Sequence, residues 1–74
     1  MTLQPVQARI LLVDDQPLVL HSVTTMLADT GHLIVTADGG LEAVRQLNAS
    51  TFDLVLLDLM LPDISGQDVM DYMR

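Results

Sequence analysis

The sequence predicts an α/β fold: one domain built on a parallel sheet, with elements in the order βαβαβα. Three observations predict it. Short unbroken apolar runs alternate with stretches whose apolar residues recur at spacings of three and four. Only a few residues separate one run from the next, as when strands and helices alternate and the helices cover both faces of a sheet. The chain has 74 residues and no cysteine, so one small core must hold it without disulfides. A domain of about 60 residues buries only about 60% of its unfolded surface, and its stability is correspondingly slim.

Residues 1–8 carry Pro5 and read as an N-terminal lead. Arg9-Ile10-Leu11-Leu12-Val13 is apolar after its first residue and ends in Asp14-Asp15, as suits a strand buried on both faces. Pro17 stands where a helix can begin. Leu20, Val23 and Leu27 follow as its stripe, with Met26 beside them, and Gly31 is placed to stop it. Leu33 to Ala37 is the second strand, β-branched at its centre, and Asp38-Gly39-Gly40 is a turn signal. Leu41, Val44 and Leu47 mark the second helix, with Ala43 beside them. Asp53 to Asp58 is the third and most apolar strand. Leu61 to Gly66 is a loop with two breakers, and Gln67 to Arg74 starts a third helix with Val69, Met70 and Met73 as its inner face.

Charge removes several classes of partner. Three basic side chains stand against ten acidic ones, a formal charge of −7. Binding nucleic acid requires a basic patch that displaces counterions, so no nucleic-acid partner is expected. An anionic membrane surface would repel the chain, and no apolar run approaches the roughly 18 residues of a membrane span. The first residues have neither a basic n-region nor an apolar h-region, so the expected location is the cytoplasm.

Two strands end in acid. Asp14 and Asp15 follow the first, and Asp58 ends the third. Ligands of open parallel sheets bind outside the carboxyl ends of the strands. If strands one and three are neighbours, the three carboxylates converge on one rim. Like charges about 4 Å apart repel by roughly 4 kcal/mol at an effective dielectric of 20. A divalent cation relieves that repulsion, and hard oxygen ligands suit Mg²⁺. A carboxylate left free is then a nucleophile, as in aspartyl-phosphate chemistry. A single Asp after a strand is usually a turn residue or helix cap; the pair together with a third Asp at another strand end makes the functional reading the stronger one.

These residues resemble the receiver domain of bacterial response regulators from Arg9 to Arg74. Asp14-Asp15 is similar to the family's acidic metal-binding pair. Asp58-Leu59-Met60-Leu61-Pro62-Asp63-Ile64-Ser65-Gly66 resembles its phosphoacceptor segment, with Pro four residues and Gly eight residues after the Asp. Asp38-Gly39-Gly40-Leu41-Glu42-Ala43 is similar to the turn into the second helix. The resemblance implies a sheet in the order 2-1-3. It implies that Asp58 accepts a phosphoryl group from a sensor histidine kinase or a phosphotransfer protein. It implies Mg²⁺ held by Asp14, Asp15, Asp58 and the backbone carbonyl of Met60. Any catalysis would be confined to self-directed phosphotransfer and dephosphorylation.

The family has about five βα units and this sequence has three, so residues 9–74 read as a truncated receiver domain. The family's Ser or Thr after its fourth strand and Lys after its fifth are absent, and the sequence contains no lysine. Two expectations follow. Phosphorylation of the chain alone is weak or undetectable. The third strand is an exposed apolar edge that pairs with a second copy, most simply in a two-fold dimer. A phosphorylation-independent interaction module is therefore the alternative function. A flavin or dinucleotide site is disfavoured, because an acidic rim repels phosphate. The remaining polar residues have plainer readings. His21 is packed or solvated, and His32 is a loop residue. Gly39-Gly40 is a turn without a phosphate-loop pattern. Met26, Met70 and Met73 fill core gaps, Asp53 fixes a turn, and Tyr72 is at the surface. Asp63, Asp68 and Asp71 form a solvated acidic face, with Asp68 also suited to a helix N-terminus.

Overall fold

The computed structural model describes residues 7–73; most of the expected lead, residues 1–6, and the last expected helical residue, Arg74, lie outside them. The elements are β1 (Arg9–Val13), α1 (Pro17–Leu27), a 3-10 turn (Ala28–Thr30), β2 (Leu33–Ala37), α2 (Gly40–Ala49), β3 (Leu54–Leu57) and α3 (Gly66–Met73). The three strands form one parallel sheet in the order β2-β1-β3, the order that the resemblance implies. β1 is central. Ile10 stands level with Ile34 and Leu54, and Leu12 with Thr36 and Leu56.

Strand pleating sends successive side chains of β1 to opposite faces. Leu11 and Val13 enter the main core with Ala37, Ala43, Leu61 and Val69, so α2 and α3 cover that face. Ile10 and Leu12 are also buried and point to the other face. There Leu12 shares an open groove with Val23 of α1 and Leu56 of β3. α1 covers this face incompletely: none of its residues is buried, and Leu54 and Leu56 remain 48% and 36% exposed.

Helix orientation corrects three expectations. Met26 is 76% exposed and Leu41 62% exposed. α2 instead turns Gly40 and Ala43 inward, with Leu47 packed against the core. Leu41 is one residue, about 100° of helix, off that line. Met73 is likewise half-exposed at the end of α3, where only Val69 is fully buried among the apolar side chains.

Local chemistry sets the boundaries. Gly31 adopts φ 79°, the left-handed geometry that ends the 3-10 turn. The Ser65 hydroxyl accepts the Asp68 amide at 3.1 Å and caps α3. β3 is shorter than expected, because Asp53 is a clip on β1. Its amide donates to the Arg9 carbonyl at 2.8 Å, and its carboxylate accepts the Arg9 amide at 2.8 Å. Arg9 completes this end of the sheet by donating to the Thr51 carbonyl at 3.0 Å and lying 5.6 Å over the Phe52 ring. His32 also has a structural partner, since its Nδ1 accepts the Ala8 amide at 3.0 Å beside the start of β1.

Candidate functional site

The carboxyl ends of β1 and β3 lie side by side, and the acids that follow them share one rim. The backbone carries the ladder past the strands themselves: the Asp14 amide donates to the Ala37 carbonyl at 3.1 Å, and the Asp58 amide to the Val13 carbonyl at 3.0 Å. Asp14 and Asp58 are thus held as extensions of the sheet, and Asp15 follows on the turn into α1. Carboxylate oxygens of Asp14, Asp15 and Asp58 all lie within 4.8 Å of one another.

Each sheet-anchored Asp also shapes its own loop. Asp14 Oδ1 accepts the Gln16 amide at 2.9 Å, turning the chain into α1. Asp58 Oδ1 accepts the Met60 amide at 2.9 Å, turning the chain away from β3. Such side-chain turns are a common use of Asp after a strand. They occupy one oxygen of each carboxylate. The second oxygens of Asp14 and Asp58 make no hydrogen bond among the described residues. The Met60 side chain is 85% exposed, so only its backbone belongs to the turn.

No described cation offsets these charges. Arg45 is committed to Glu42 through contacts of 2.6 and 2.8 Å. Those bonds, with a weaker one from Gln46, hold the Glu42 carboxyl down to about 2 and raise the Arg45 guanidinium above its ordinary value. Arg9 lies at the opposite, amino end of β1. Three acidic side chains converge without a cationic partner among the described residues, and hard carboxylate oxygens at this spacing fit a small divalent cation. The residues present therefore fit Mg²⁺ by donor chemistry and by separation. The open groove that Leu12, Val23, Leu56 and Leu57 line reaches Asp14, Gln16 and Asp58 and has a volume of about 460 Å³.

Asp63, Asp68 and Asp71 are all exposed, as expected. Asp63 has a further role that the sequence did not signal: it accepts three backbone amides, from Gly40 at 2.8 Å, Leu41 at 2.9 Å and Ile64 at 2.8 Å. Leu41 first, then Gly40 and Ile64, hold its carboxyl down to about 2. The chain bends at Asp38 and Gly39 into α2, as the expected turn requires, but neither glycine has a positive φ. Gly40 is needed for closeness, because a Cβ there would stand 2.2 Å from Ile64 Cγ1. An Asp after a Pro signals a turn, but nothing local signals that its acceptor oxygens serve a helix some twenty residues upstream. Tyr72 is partly exposed, yet its hydroxyl donates to Asn48 Oδ1 and ties α3 to α2.

The family model described as the response regulator receiver domain matches residues 10–74. The sensor protein GacS of Pseudomonas syringae pv. syringae is 39% identical over 66 residues, which is 89% of this chain and 7% of GacS. The alginate biosynthesis transcriptional regulatory protein AlgB of Pseudomonas putida is 41% identical over 68 residues, 92% of this chain and 15% of AlgB. Among solved structures, the Thermotoga maritima response regulator TrrA in complex with Mg²⁺-BeF superposes with a TM-score of 0.86 at 38% identity, over 92% of this chain and 59% of TrrA. TrrA in complex with the histidine kinase ThkA superposes with a TM-score of 0.84. This chain thus spans little more than half of the solved receiver structure and a small part of the two curated relatives.

Proposed function

Because this chain belongs to the response regulator receiver domain family, we propose that Asp58 accepts a phosphoryl group from a sensor histidine kinase or phosphotransfer protein in the cytoplasm. The observation that carries this reading is the rim of three carboxylates within 4.8 Å of one another, in a chain whose family match spans residues 10–74. A free Asp58 oxygen is the nucleophile: the new O–P bond forms as the donor's N–P bond breaks, and the imidazole leaves with the electron pair. Asp14, Asp15, Asp58 and the Met60 carbonyl would hold Mg²⁺, which when bound neutralises charge on the phosphoryl oxygens. Asp14 and Asp58 orient the loops that flank the site through their own hydrogen bonds to Gln16 and Met60. The TrrA complexes with Mg²⁺-BeF and with a histidine kinase support both the cation and the partner class by similarity.

The test is the intact mass of the chain after incubation with Mg²⁺ and acetyl phosphate, beside Asp58→Ala. A single phosphoryl adduct that the variant loses supports the reading. The 74 residues include no lysine to meet the phosphoryl oxygens, so the expected adduct is weak. No adduct on a folded wild type overturns phosphoacceptance by this chain and favours the second reading.

That second reading is a phosphorylation-independent module that associates with itself. It is favoured by one observation: β3 is an edge strand whose Leu54 and Leu56 stay exposed. An unpaired apolar edge is a template for another strand. Two-fold pairing of β3 with its copy is antiparallel and puts the two Asp58 residues at opposite ends of the joint ribbon, so each rim stays separate. Light scattering after size exclusion should report a dimer; a monomer at all concentrations rules this out.

A further inference from the structure

The loop after Asp58 is held at both its far end and its middle by hydrogen bonds, and only one of these ties reaches a distant part of the sequence. At its far end, the Gly66 amide donates to the Leu59 carbonyl at 3.2 Å. A Cβ on Gly66 would come within 2.5 Å of Leu59 Cα and 2.8 Å of the Asp58 carbonyl oxygen. Backbone therefore packs directly on backbone there. The second fastening is Asp63. Gly39 offers α2 no side-chain cap. The Asp63 carboxylate supplies the cap from the other loop, binding the Gly40 and Leu41 amides while Oδ1 also holds its own neighbour, Ile64. A Cβ on Gly39 would already stand 3.0 Å from Asp63 Oδ2, so the carboxylate is seated against the glycine pair with no space to spare. Between these two fastenings lies Met60, whose amide is bound to Asp58. Leu61 anchors the same segment in the core from below.

We propose that Asp63 is a positioning residue for the acid rim: by tying the Asp58–Gly66 loop to the first turn of α2, it holds the Met60 carbonyl and the Asp58 carboxylate in place for a divalent cation. The inference rests on the reading of the rim as a Mg²⁺ site. Asp63 touches no ligand itself. It acts through the backbone that carries one proposed ligand and braces another. The depressed carboxyl keeps the tie ionised at neutral pH. Because Leu61 and Gly66 also hold the loop, removing Asp63 loosens the site without abolishing it.

The experiment is a Mg²⁺ titration of the whole chain followed by amide chemical shifts, on wild type, Asp63→Ala and Asp63→Asn. Two controls accompany them. Asp38→Asn removes an exposed charge from the same end of the sheet, and Thr25→Gly destabilises α1 on the far side. Groups that orient metal ligands typically contribute tenfold or more to metal affinity, so Asp63→Ala should weaken binding by about tenfold. Asp63→Asn, which keeps one acceptor oxygen, should fall between, and both controls should stay near wild type. If Asp63→Ala unfolds, Asp63→Asn decides. Equal affinity in wild type and the folded Asp63 variants overturns the inference. So does an Asp38→Asn loss as large as that of Asp63→Asn, which would make the effect one of charge rather than placement. A flat wild-type titration overturns the cation reading and this inference together, whereas a wild type that binds beside equally tight Asp63 variants overturns this inference alone.

Discussion

The Asp63 carboxyl sits near 2 instead of its ordinary 3.8 because three amides donate to its ionised form. Its pKa is lower folded than unfolded, so the unfolded chain binds more protons between about pH 4 and 2, and stability must rise with pH across that window. Glu42, lowered to about 2 by Arg45 and Gln46, acts in the same direction. Urea midpoints measured from pH 2 to 6 should therefore climb between pH 2 and 4 in wild type, modestly because both carboxylates are exposed and screened by solvent. The climb should be shallower in Asp63→Asn; an identical profile would mean that the three amide bonds do not form in solution. The glycines give a second contrast. Overpacking typically costs about 1–3 kcal/mol, and Gly66→Ala should reach the top of that range because backbone atoms block its Cβ. Gly40→Ala should cost less, since its obstacle is first the Ile64 side chain, which can swing. Denaturant midpoints of the two variants check the order.

Among the elements, α2 and α3 do most of the burying and α1 little. The shared core of Leu11, Val13, Ala43, Leu61 and Val69 lies on their side of the sheet, while α1 contributes no fully buried residue. Leu11→Ala, at a fully buried position, should cost about 2–5 kcal/mol. Leu18→Ala, on an α1 side chain 80% exposed, should change stability by less than about 0.5 kcal/mol. Chemical denaturation separates the two, and equal effects would mean that α1 packs differently in solution. Helix existence and approximate limits were readable from spacing. Rotation was harder to read. Met26 and Leu41 each sit one residue from a true inner position, and a 100° error is invisible when several neighbours are also apolar.

Over the whole molecule, the decisive feature is a sheet whose apolar third strand is at the edge. Leu56→Lys places a charge on that strand and should abolish the proposed dimer without loss of the fold, since Leu56 is already 36% exposed. Sedimentation of wild type and variant tests this; an unchanged dimer would relocate the interface.

By itself the sequence determined the element order and the parallel sheet, because these follow from apolar periodicity, and its short motifs carried the resemblance to the family. Only the tertiary structure decided what Asp63, Asp53 and His32 do. Asp63 caps a helix 22 and 23 residues upstream, Asp53 clips a strand 44 residues away, and His32 accepts an amide 24 residues before it. A polar side chain records no partner in its local sequence, and its partner is chosen when the sheet brings distant backbone donors within reach.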